Sequence, residues 1–261
     1  MMKKLIMAAI ILVFWAVYYF QNHYTPSDSK PKAKVEKVTK VKTEHVDIDK
    51  KKRKFYNRLR PGFEKENQRV SKERKQILAM EASLTTNDVS SSQQKTARKL
   101  ADMYNVELPA DGINQQWVDD MLLRVNILPE ALVLTQAANE SAWGTSRFAK
   151  KANNFFGQWC YSEGCGVVPL HRVEGATHEV AKFDNAQASI HAYFMNMNRN
   201  NAYRSLRDIR QKLADGNKDL ASMATALKLT DGLLSYSERG QDYVNDLQGM
   251  ITHNHTYWKH Q

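Results

Sequence analysis

One glutamate, Glu140, lies at the end of an apolar segment and just before a tryptophan. The apolar side chains of residues 132–138 cover most of a helical circumference, which predicts a buried helix ending near Glu140. The negative end of the helix dipole and the apolar ring of Trp143 both disfavour an ionised carboxylate, so we expect the pKa of Glu140 to be raised. A carboxyl group that keeps its proton near neutral pH is able to protonate a leaving-group oxygen. The alternative is an exposed glutamate at a frayed helix end.

Two short segments around this glutamate carry a resemblance to a known family. Residues 138–149 read ANESAWGTSRFA and residues 153–159 read NNFFGQW. Together they resemble the signature of the peptidoglycan glucosaminidases, glycoside hydrolase family 73, over about residues 95–250. Two ordered motifs at the right separation are more specific than one short motif. Trp159-Cys160 and Gly164-Cys165-Gly166 further resemble the Bax-like branch of that family.

The resemblance implies a lysozyme-like fold, α+β and predominantly α-helical, with a small β-hairpin lobe across a sugar-binding cleft. It implies that Glu140 is the catalytic acid and that the Asn-Asn-Phe-Phe-Gly turn shapes the cleft floor beside it. Tyrosines from two later segments would reach the same cleft, although a packing role at a helix start is the alternative for the first of them. The residues expected to contact substrate are Asn154, Phe156, Tyr203, Tyr243 and Trp143.

No single residue stands out as a second catalytic carboxylate. Val167-Val168 and residues 180–183 flank Glu174-Gly175, which predicts a hairpin for the β-lobe. Our candidate is Glu174 at the turn, and the alternative is that all the charges of this hairpin are simply solvated. The other carboxylates that we considered are Glu179, Asp184 and Glu238.

The presence of that second carboxylate would decide the mechanism. Retaining glycosidases hold two carboxyl groups about 5 Å apart, and inverting enzymes hold them about 6.5 to 9.5 Å apart. Two further routes need only Glu140. The N-acetyl group of the substrate acts as the nucleophile in one, and the 6-hydroxyl of the sugar attacks in the other, as in a lytic transglycosylase. The sequence leaves these routes open.

The N-terminus predicts a membrane segment. Two lysines precede an apolar run of 16 residues, Leu5–Phe20, and aromatic residues crowd its far end as they do at a membrane interface. Because no small-residue cleavage site follows it, we favour an anchor in the inner membrane over a cleaved signal peptide that leaves a soluble periplasmic protein. More lysines follow the run than precede it, which argues against export, but long polar domains translocate largely regardless of charge.

The segment after the anchor is strongly basic. Residues 30–75 carry 18 Lys and Arg against 7 Asp and Glu, whereas the chain as a whole has a net charge of +10. Such a run is typical of a solvated linker, and contact with anionic lipid or the acidic cell wall is the functional alternative. We do not expect nucleic-acid binding, because few aromatic residues interleave with the charges. The chain therefore divides into an anchor or signal (1–24), a partly helical basic stalk (25–84) and the glucosaminidase domain (85–261).

The two cysteines favour an oxidising compartment. Cys160 and Cys165 enclose four residues, and a small disulfide loop fits this spacing better than a metal site does. Two free thiols in a cytosolic protein are the alternative. No metal site is expected, since residues 178–182 have a lysine where a zinc-protease helix needs a second histidine.

These observations together predict an exported endo-β-N-acetylglucosaminidase. It would cleave the β-1,4 glycan strand of peptidoglycan on the N-acetylglucosamine side, with Glu140 as the general acid and with no cofactor. One alternative is a lytic transglycosylase or muramidase on the same fold. The other is a non-catalytic module that binds the cell wall.

Overall fold

The structure, a computed structural model, describes residues 48–169 and 177–259. It confirms a predominantly helical α+β architecture, which fits the lysozyme-like arrangement that the resemblance implied. The α-helices are α1 Ile48–Thr85, α2 Ser91–Tyr104, α3 Gln115–Arg124, α4 Glu130–Ser141, α5 Arg147–Ala152, α6 Ala186–Arg199, α7 Arg204–Asp215, α8 Met223–Thr230 and α9 Gln241–His253. Short 3-10 helices lie at Asn201–Tyr203 and His255–Tyr257.

Polar side chains fix where several of these helices begin. Ser90 and Gln93 form a capping box at the start of α2, in which each side chain bonds the backbone N–H of the other residue. The same local chemistry explains why α6 begins directly after the β-lobe, because the Asn185 side chain accepts a bond from the Ala188 N–H. The other helices with a side-chain cap are α3 at Asn114, α5 at Ser146 and α8 at Ser222.

The long helix α1 belongs to the core. Its buried side chains recur at alternating spacings of four and three residues, which aligns them in one continuous seam. This seam packs on α3, α4 and α6, the helices at the centre of the molecule. The buried apolar residues of α1 are Phe55, Tyr56, Leu59, Phe63, Val70, Ile77 and Met80.

The packing of α1 changes the domain boundary. We predicted a stalk up to residue 84 and a domain from residue 85, but the compact unit of the structure begins at Val46. Lysines and arginines on the outer face of α1 give it the composition of a linker. The apolar residues of its seam are too few to be recognised as a pattern in the sequence. Gly62 is one reason for the close packing, because a Cβ at that position would lie 2.6 Å from Ile190 Cδ1 of α6.

Two buried glutamates occupy seam positions of α1 that would ordinarily be apolar. Glu66 and Glu73 are 3% and 8% exposed. Arg69 lies between them and donates a 2.8 Å bond to each carboxylate. Tyr104 of α2 donates to Glu73, and His191 Nδ1 of α6 lies 3.0 Å from Glu66 Oε2. The burial of these charges is therefore compensated by partners from three helices.

The β-lobe is a three-stranded antiparallel sheet. Its strands are β1 Trp159–Cys160, β2 Gly166–Val167 and β3 Glu179–Ala181, in the order β1-β3-β2. The pairing of β2 with β3 agrees with the predicted hairpin, whereas β1 is too short to give a sequence pattern. Gly166 is required at its position because a Cβ there would lie 2.1 Å from the Val180 carbonyl oxygen.

Several predictions fall on residues outside those that the structure describes. These are the membrane segment Leu5–Phe20, the first part of the basic stalk, and the hairpin turn with Glu174. Among the residues from 48 to 169 and from 177 to 259, no helix has both the length and the apolar character needed to cross a bilayer.

The role of α1 in the core predicts which fragments fold. A fragment of residues 46–261 should unfold cooperatively, whereas residues 85–261 should not, because they lack the apolar seam of α1. Each lost side chain contributes about 1.5 to 3 kcal/mol of burial, and together they exceed a domain stability of about 5 to 15 kcal/mol. Thermal melts followed by circular dichroism would test this, and equal melting temperatures for the two fragments would contradict it.

Candidate active site

A cleft of about 970 Å³ separates the β-lobe from the helical part of the molecule. One side is formed by residues 156–161, which lead into the β-lobe and through β1. The other is formed by α6 together with the 3-10 helix that follows it, and the C-terminal end of α2 closes one end. The volume lies at the upper end of the usual range for ligand sites, which suits an extended ligand.

Glu140 lies beside this cleft at the end of α4. Its side chain is half-buried, and its Oε1 atom accepts a 2.8 Å hydrogen bond from the Tyr243 hydroxyl and a 3.2 Å bond from Asn139. Its Oε2 atom lies against Gly157, a residue of the cleft, and a Cβ at Gly157 would come within 3.5 Å of it. The left-handed φ of +64° at Gly157 favours glycine at this position.

A chain of hydrogen bonds leads from the core to Glu140. Gln136 lies one turn before Glu140 on α4 and donates to the Tyr243 hydroxyl at 2.9 Å. Tyr193 of α6 donates to the side-chain oxygen of Gln136. Because the Tyr243 hydroxyl already accepts from Gln136, its own proton points to Glu140. Burial, and then the proximity of Glu140, raises the pKa of Tyr243, so its hydroxyl remains a donor.

The pKa of Glu140 is raised, as we expected. Burial is the dominant cause, and the hydrogen bonds from Tyr243 and Asn139 partly oppose it by stabilising the carboxylate. The net effect favours the protonated form, which is what a general acid needs at neutral pH.

Aromatic side chains surround the carboxyl of Glu140. The rings of Tyr236 and Tyr243 stack with an interplanar angle of 3°, and the Tyr203 ring lies 5.8 Å from that of Tyr236. Phe156 stacks on Tyr193 at 4.3 Å, and its carbonyl oxygen accepts a bond from the Tyr236 hydroxyl. Phe156, Tyr203 and Tyr236 line the cleft. The structure therefore brings Phe156, Tyr203 and Tyr243 together around Glu140.

Asn154 lies in the turn that the resemblance implied, but it does not line the cleft as a residue in contact with substrate would. It is 2% exposed, and its side-chain nitrogen donates to the carbonyl oxygens of Gln158 and Ala181. Its side-chain oxygen accepts from the backbone N–H groups of Phe156 and Gln158. With these bonds made, Asn154 shapes the turn that carries Phe156 and Gly157 and is not among the residues lining the cleft.

Trp143 also lies away from the cleft. Its ring contacts Phe55 and Tyr56 of α1 edge-on, with centroid distances of 5.8 and 5.4 Å. Trp143 has a φ of +60° and follows Ala142 at +49°, so the chain turns sharply after α4 and directs the ring to α1. Left-handed residues with side chains cost about 1 to 2 kcal/mol each, and the aromatic packing offsets that cost. Trp143 thus holds the end of α4, where Glu140 lies.

The candidate second carboxylates do not gather at Glu140. Glu179 is 5% exposed and accepts from the backbone N–H groups of Gly164 in the disulfide loop and Gly166 directly after it. Asp184 and Glu238 are exposed. Among the described residues that line the cleft, Asp102 at the end of α2 is the one that carries a carboxylate. Glu174 lies outside the described residues and stays a prediction.

The predicted disulfide is present. Cys160 and Cys165 are bonded, with their Cα atoms 6.2 Å apart. Their sulfur atoms and the Glu179 carboxylate lie close enough together to resemble a metal site. However, bonded sulfurs are not thiolate ligands, and the carboxylate is occupied by backbone N–H groups. This cluster is therefore a structural brace of the β-lobe.

Residues 115–256 match the glucosaminidase family, described as mannosyl-glycoprotein endo-beta-N-acetylglucosaminidase. The chain belongs to the glucosaminidase family. It is also 28% identical over 204 residues to Protein bax of Escherichia coli (strain K12), which covers 78% of this chain and 70% of that protein. No solved structure matches.

The alignment with Protein bax also includes most of α1. An alignment of 204 residues in a chain of 261 must begin no later than residue 58. It therefore includes most of α1, although α1 precedes the residues that match the family. The similarity to this relative and the packing of α1 agree that the helix is part of the domain.

The reading of the sequence missed three residues around Glu140. Gln136, Tyr193 and Tyr236 connect Glu140 to the core or line the cleft, and we had assigned none of them a site role. The position of Gln136 four residues before Glu140, on the same helical face, was a usable signal. Tyr193 gave none, since its spacing in α6 is that of an ordinary core residue.

The hydrogen bond from Tyr243 predicts a change in pH dependence. The Tyr243→Phe variant loses a donor that stabilises the ionised form of Glu140, so the pKa of Glu140 should rise further. If Glu140 acts as an acid, the alkaline limb of the kcat/KM profile should move to higher pH, with kcat reduced no more than about tenfold.

The matched control for Tyr243→Phe is Tyr236→Phe. It removes a hydroxyl of the same aromatic cluster that donates to Phe156 rather than to Glu140. An alkaline limb that moves equally in both variants, or to lower pH in Tyr243→Phe, would contradict the interpretation.

Proposed function

We propose that this protein is an exported endo-β-N-acetylglucosaminidase of peptidoglycan with Glu140 as its general acid. The observation that carries the proposal is the half-buried Glu140 carboxyl with its raised pKa, which reaches the cleft beside Gly157. The family supports a glycosidase that acts on peptidoglycan. The bond on the N-acetylglucosamine side and the role of Glu140 are the specific parts of the proposal.

Glu140 performs the proton transfer in the proposed reaction. Its carboxyl proton passes to the glycosidic oxygen as the bond from that oxygen to the anomeric carbon breaks. The resulting carboxylate is stabilised by the hydrogen bonds that Tyr243 and Asn139 already donate. Tyr203 lies on the cleft side of the aromatic cluster, where its hydroxyl is available to orient the N-acetyl group or a water molecule.

The second catalytic group, which acts at the anomeric carbon, comes from Glu174 or from the substrate itself. A Glu174→Gln variant separates these routes. An activity loss as large as that of Glu140→Gln assigns the second carboxylate to Glu174. Activity retained within about threefold leaves the two routes in which the substrate supplies the nucleophile. In one, the N-acetyl oxygen attacks the anomeric carbon and is then displaced by water; in the other, the 6-hydroxyl attacks and leaves an anhydro product.

We also propose that the catalytic domain lies in the periplasm and is anchored to the inner membrane by residues 5–20. The disulfide between Cys160 and Cys165 supports an oxidising compartment. The basic residues that follow the anchor would contact anionic lipid or the cell wall. Membrane fractions washed with high salt test this, since a cleaved, soluble protein would be released.

The Glu140→Gln variant tests the proposed acid by two independent measurements. Its turnover of purified sacculi should fall by about 10²-fold to 10⁴-fold, because glutamine has no proton to donate at this step. Its melting temperature at pH 7 should rise by about 2 to 4 °C, which corresponds to about 1 kcal/mol for a domain of this size.

The expected stability gain depends on pH in a defined direction. Because the pKa of Glu140 is raised in the folded state, the unfolded chain releases this proton first and folding loses stability as the pH rises. The gain from Gln should therefore vanish below the ordinary glutamate pKa of 4.5. Glu238→Gln, at an exposed position, is the control. Full activity of Glu140→Gln would remove Glu140 from the mechanism.

The cleaved bond is identified from the products of sacculus digestion by mass spectrometry. New reducing ends at N-acetylglucosamine are expected. Anhydromuramyl or reducing muramyl ends would instead identify a lytic transglycosylase or a muramidase. Protein that pellets with sacculi but releases no product would favour a non-catalytic wall-binding module.

A further inference from the structure

We propose that Trp159 and Tyr161 form an aromatic platform that binds sugar rings of the glycan strand, and that the disulfide loop holds this platform in place. The inference rests on the proposed function for its ligand, a β-1,4-linked chain of N-acetylated pyranoses. It assigns a binding role to two residues for which the resemblance implied none, and a positioning role to the Cys160–Cys165 disulfide.

The first observation is that both rings are exposed inside the cleft. Trp159 is 48% exposed and Tyr161 is 76% exposed, and both line the same cleft as Gly157 and Tyr203. An exposed tryptophan and an exposed tyrosine two residues apart are unusual in a domain whose other large aromatic side chains are mostly covered, and exposed apolar groups of this kind mark binding sites.

The second observation is that this short segment is unusually well fixed. Trp159 pairs with Val180 in the sheet, and Cys160, between the two aromatic residues, is bonded to Cys165. The Glu179 carboxylate accepts from the backbone N–H groups of Gly164, inside the loop that the disulfide closes, and of Gly166, directly after it. His178 contacts the Trp159 ring edge-on at 4.6 Å. A ring held as that of Trp159 is loses little entropy when a ligand binds.

The third observation concerns the opposite wall. Tyr161 of the β-lobe is close enough to Tyr203 to raise its pKa, an effect to which Glu140 also contributes and which is smaller than that of burial. Trp159, Tyr161 and Tyr203 line one cleft, and Glu140 lies beside its Gly157. A ring seated on Trp159 and Tyr161 would be part of the strand whose bond Glu140 protonates.

The chemistry of the platform matches an N-acetylated sugar. A β-linked pyranose presents axial C–H groups on each face and keeps its hydroxyls and acetamido group at the edge. An aromatic ring covers the C–H face, while the edge is left for polar residues that line the cleft, such as Asn105 and Asn201. The site therefore favours binding of the glycan over binding of the stem peptides.

Binding to linear glycan strands tests the platform separately from catalysis. The probe is the soluble strand that an amidase releases from sacculi, titrated by calorimetry into full-length protein carrying Glu140→Gln. Adding Trp159→Ala or Tyr161→Ala to this protein should raise Kd roughly tenfold, while Trp159→Phe should stay within about threefold. The control is Leu234→Ala, at a residue that is exposed outside the cleft.

The disulfide is tested by a Cys160→Ser and Cys165→Ser double variant in the same protein. Its Kd should rise as much as that of Trp159→Ala, with a melting temperature that shows the domain still folded. Unchanged affinity in the alanine variants overturns the platform, and unchanged affinity in the serine variant overturns the role of the disulfide. Strand cleavage by the Glu140→Gln protein, seen by mass spectrometry, would overturn the proposed acid while leaving the test of the platform valid.

Discussion

The hydrogen bond from Tyr243 to Glu140 is the interaction on which the arrangement of the site depends. A carboxyl at the end of a buried helix is destabilised when it ionises, and one well-placed donor limits that penalty without removing it. The donor itself must be directed, which Gln136 achieves by occupying the acceptor side of the Tyr243 hydroxyl. Tyr193 in turn fixes Gln136. The hydrogen bonds that lead to Glu140 therefore constrain the relative positions of α4, α6 and α9. A shift of one helix would leave a buried polar group without its partner.

Helix α1 supports the same arrangement from the opposite side. It packs on α4 and α6, which carry Glu140 and Tyr193. Phe55 and Tyr56 of α1 contact the Trp143 ring, which follows the end of α4. A purely apolar seam would allow α1 to slide along its neighbours. Glu66 and Glu73 prevent this, since each needs Arg69 and a partner from another helix at one register only. Buried ionic groups of this kind contribute more to a unique packing than to net stability. His191 connects this network to the wall of the cleft.

The sequence was informative where function and fold depend on neighbouring residues. Glu140 at the end of an apolar helix, the turn around Gly157 and the pairing of the two cysteines are all local patterns. The role of α1 was hidden because long cationic side chains on its outer face outnumber the apolar residues of its seam. Trp143 was misplaced for a different reason. Its ring direction depends on two successive left-handed residues, Ala142 and Trp143, neither of which is a glycine that would signal such a turn.

The two walls of the cleft are stabilised by different means, and this difference suits their tasks. On the helical wall the Glu140 carboxyl is held by neutral hydrogen bonds from Tyr243 and Asn139, which leave its pKa sensitive to each donor. A fixed charge beside Glu140 would shift that pKa more strongly. In the described part of the chain the small sheet has seven residues in strands and little core of its own, so it relies on the disulfide and on the Glu179 carboxylate. Strong interactions can therefore provide rigidity in the β-lobe, away from the Glu140 carboxyl. The left-handed turn at Gly157 brings the β-lobe side of the cleft up to Glu140.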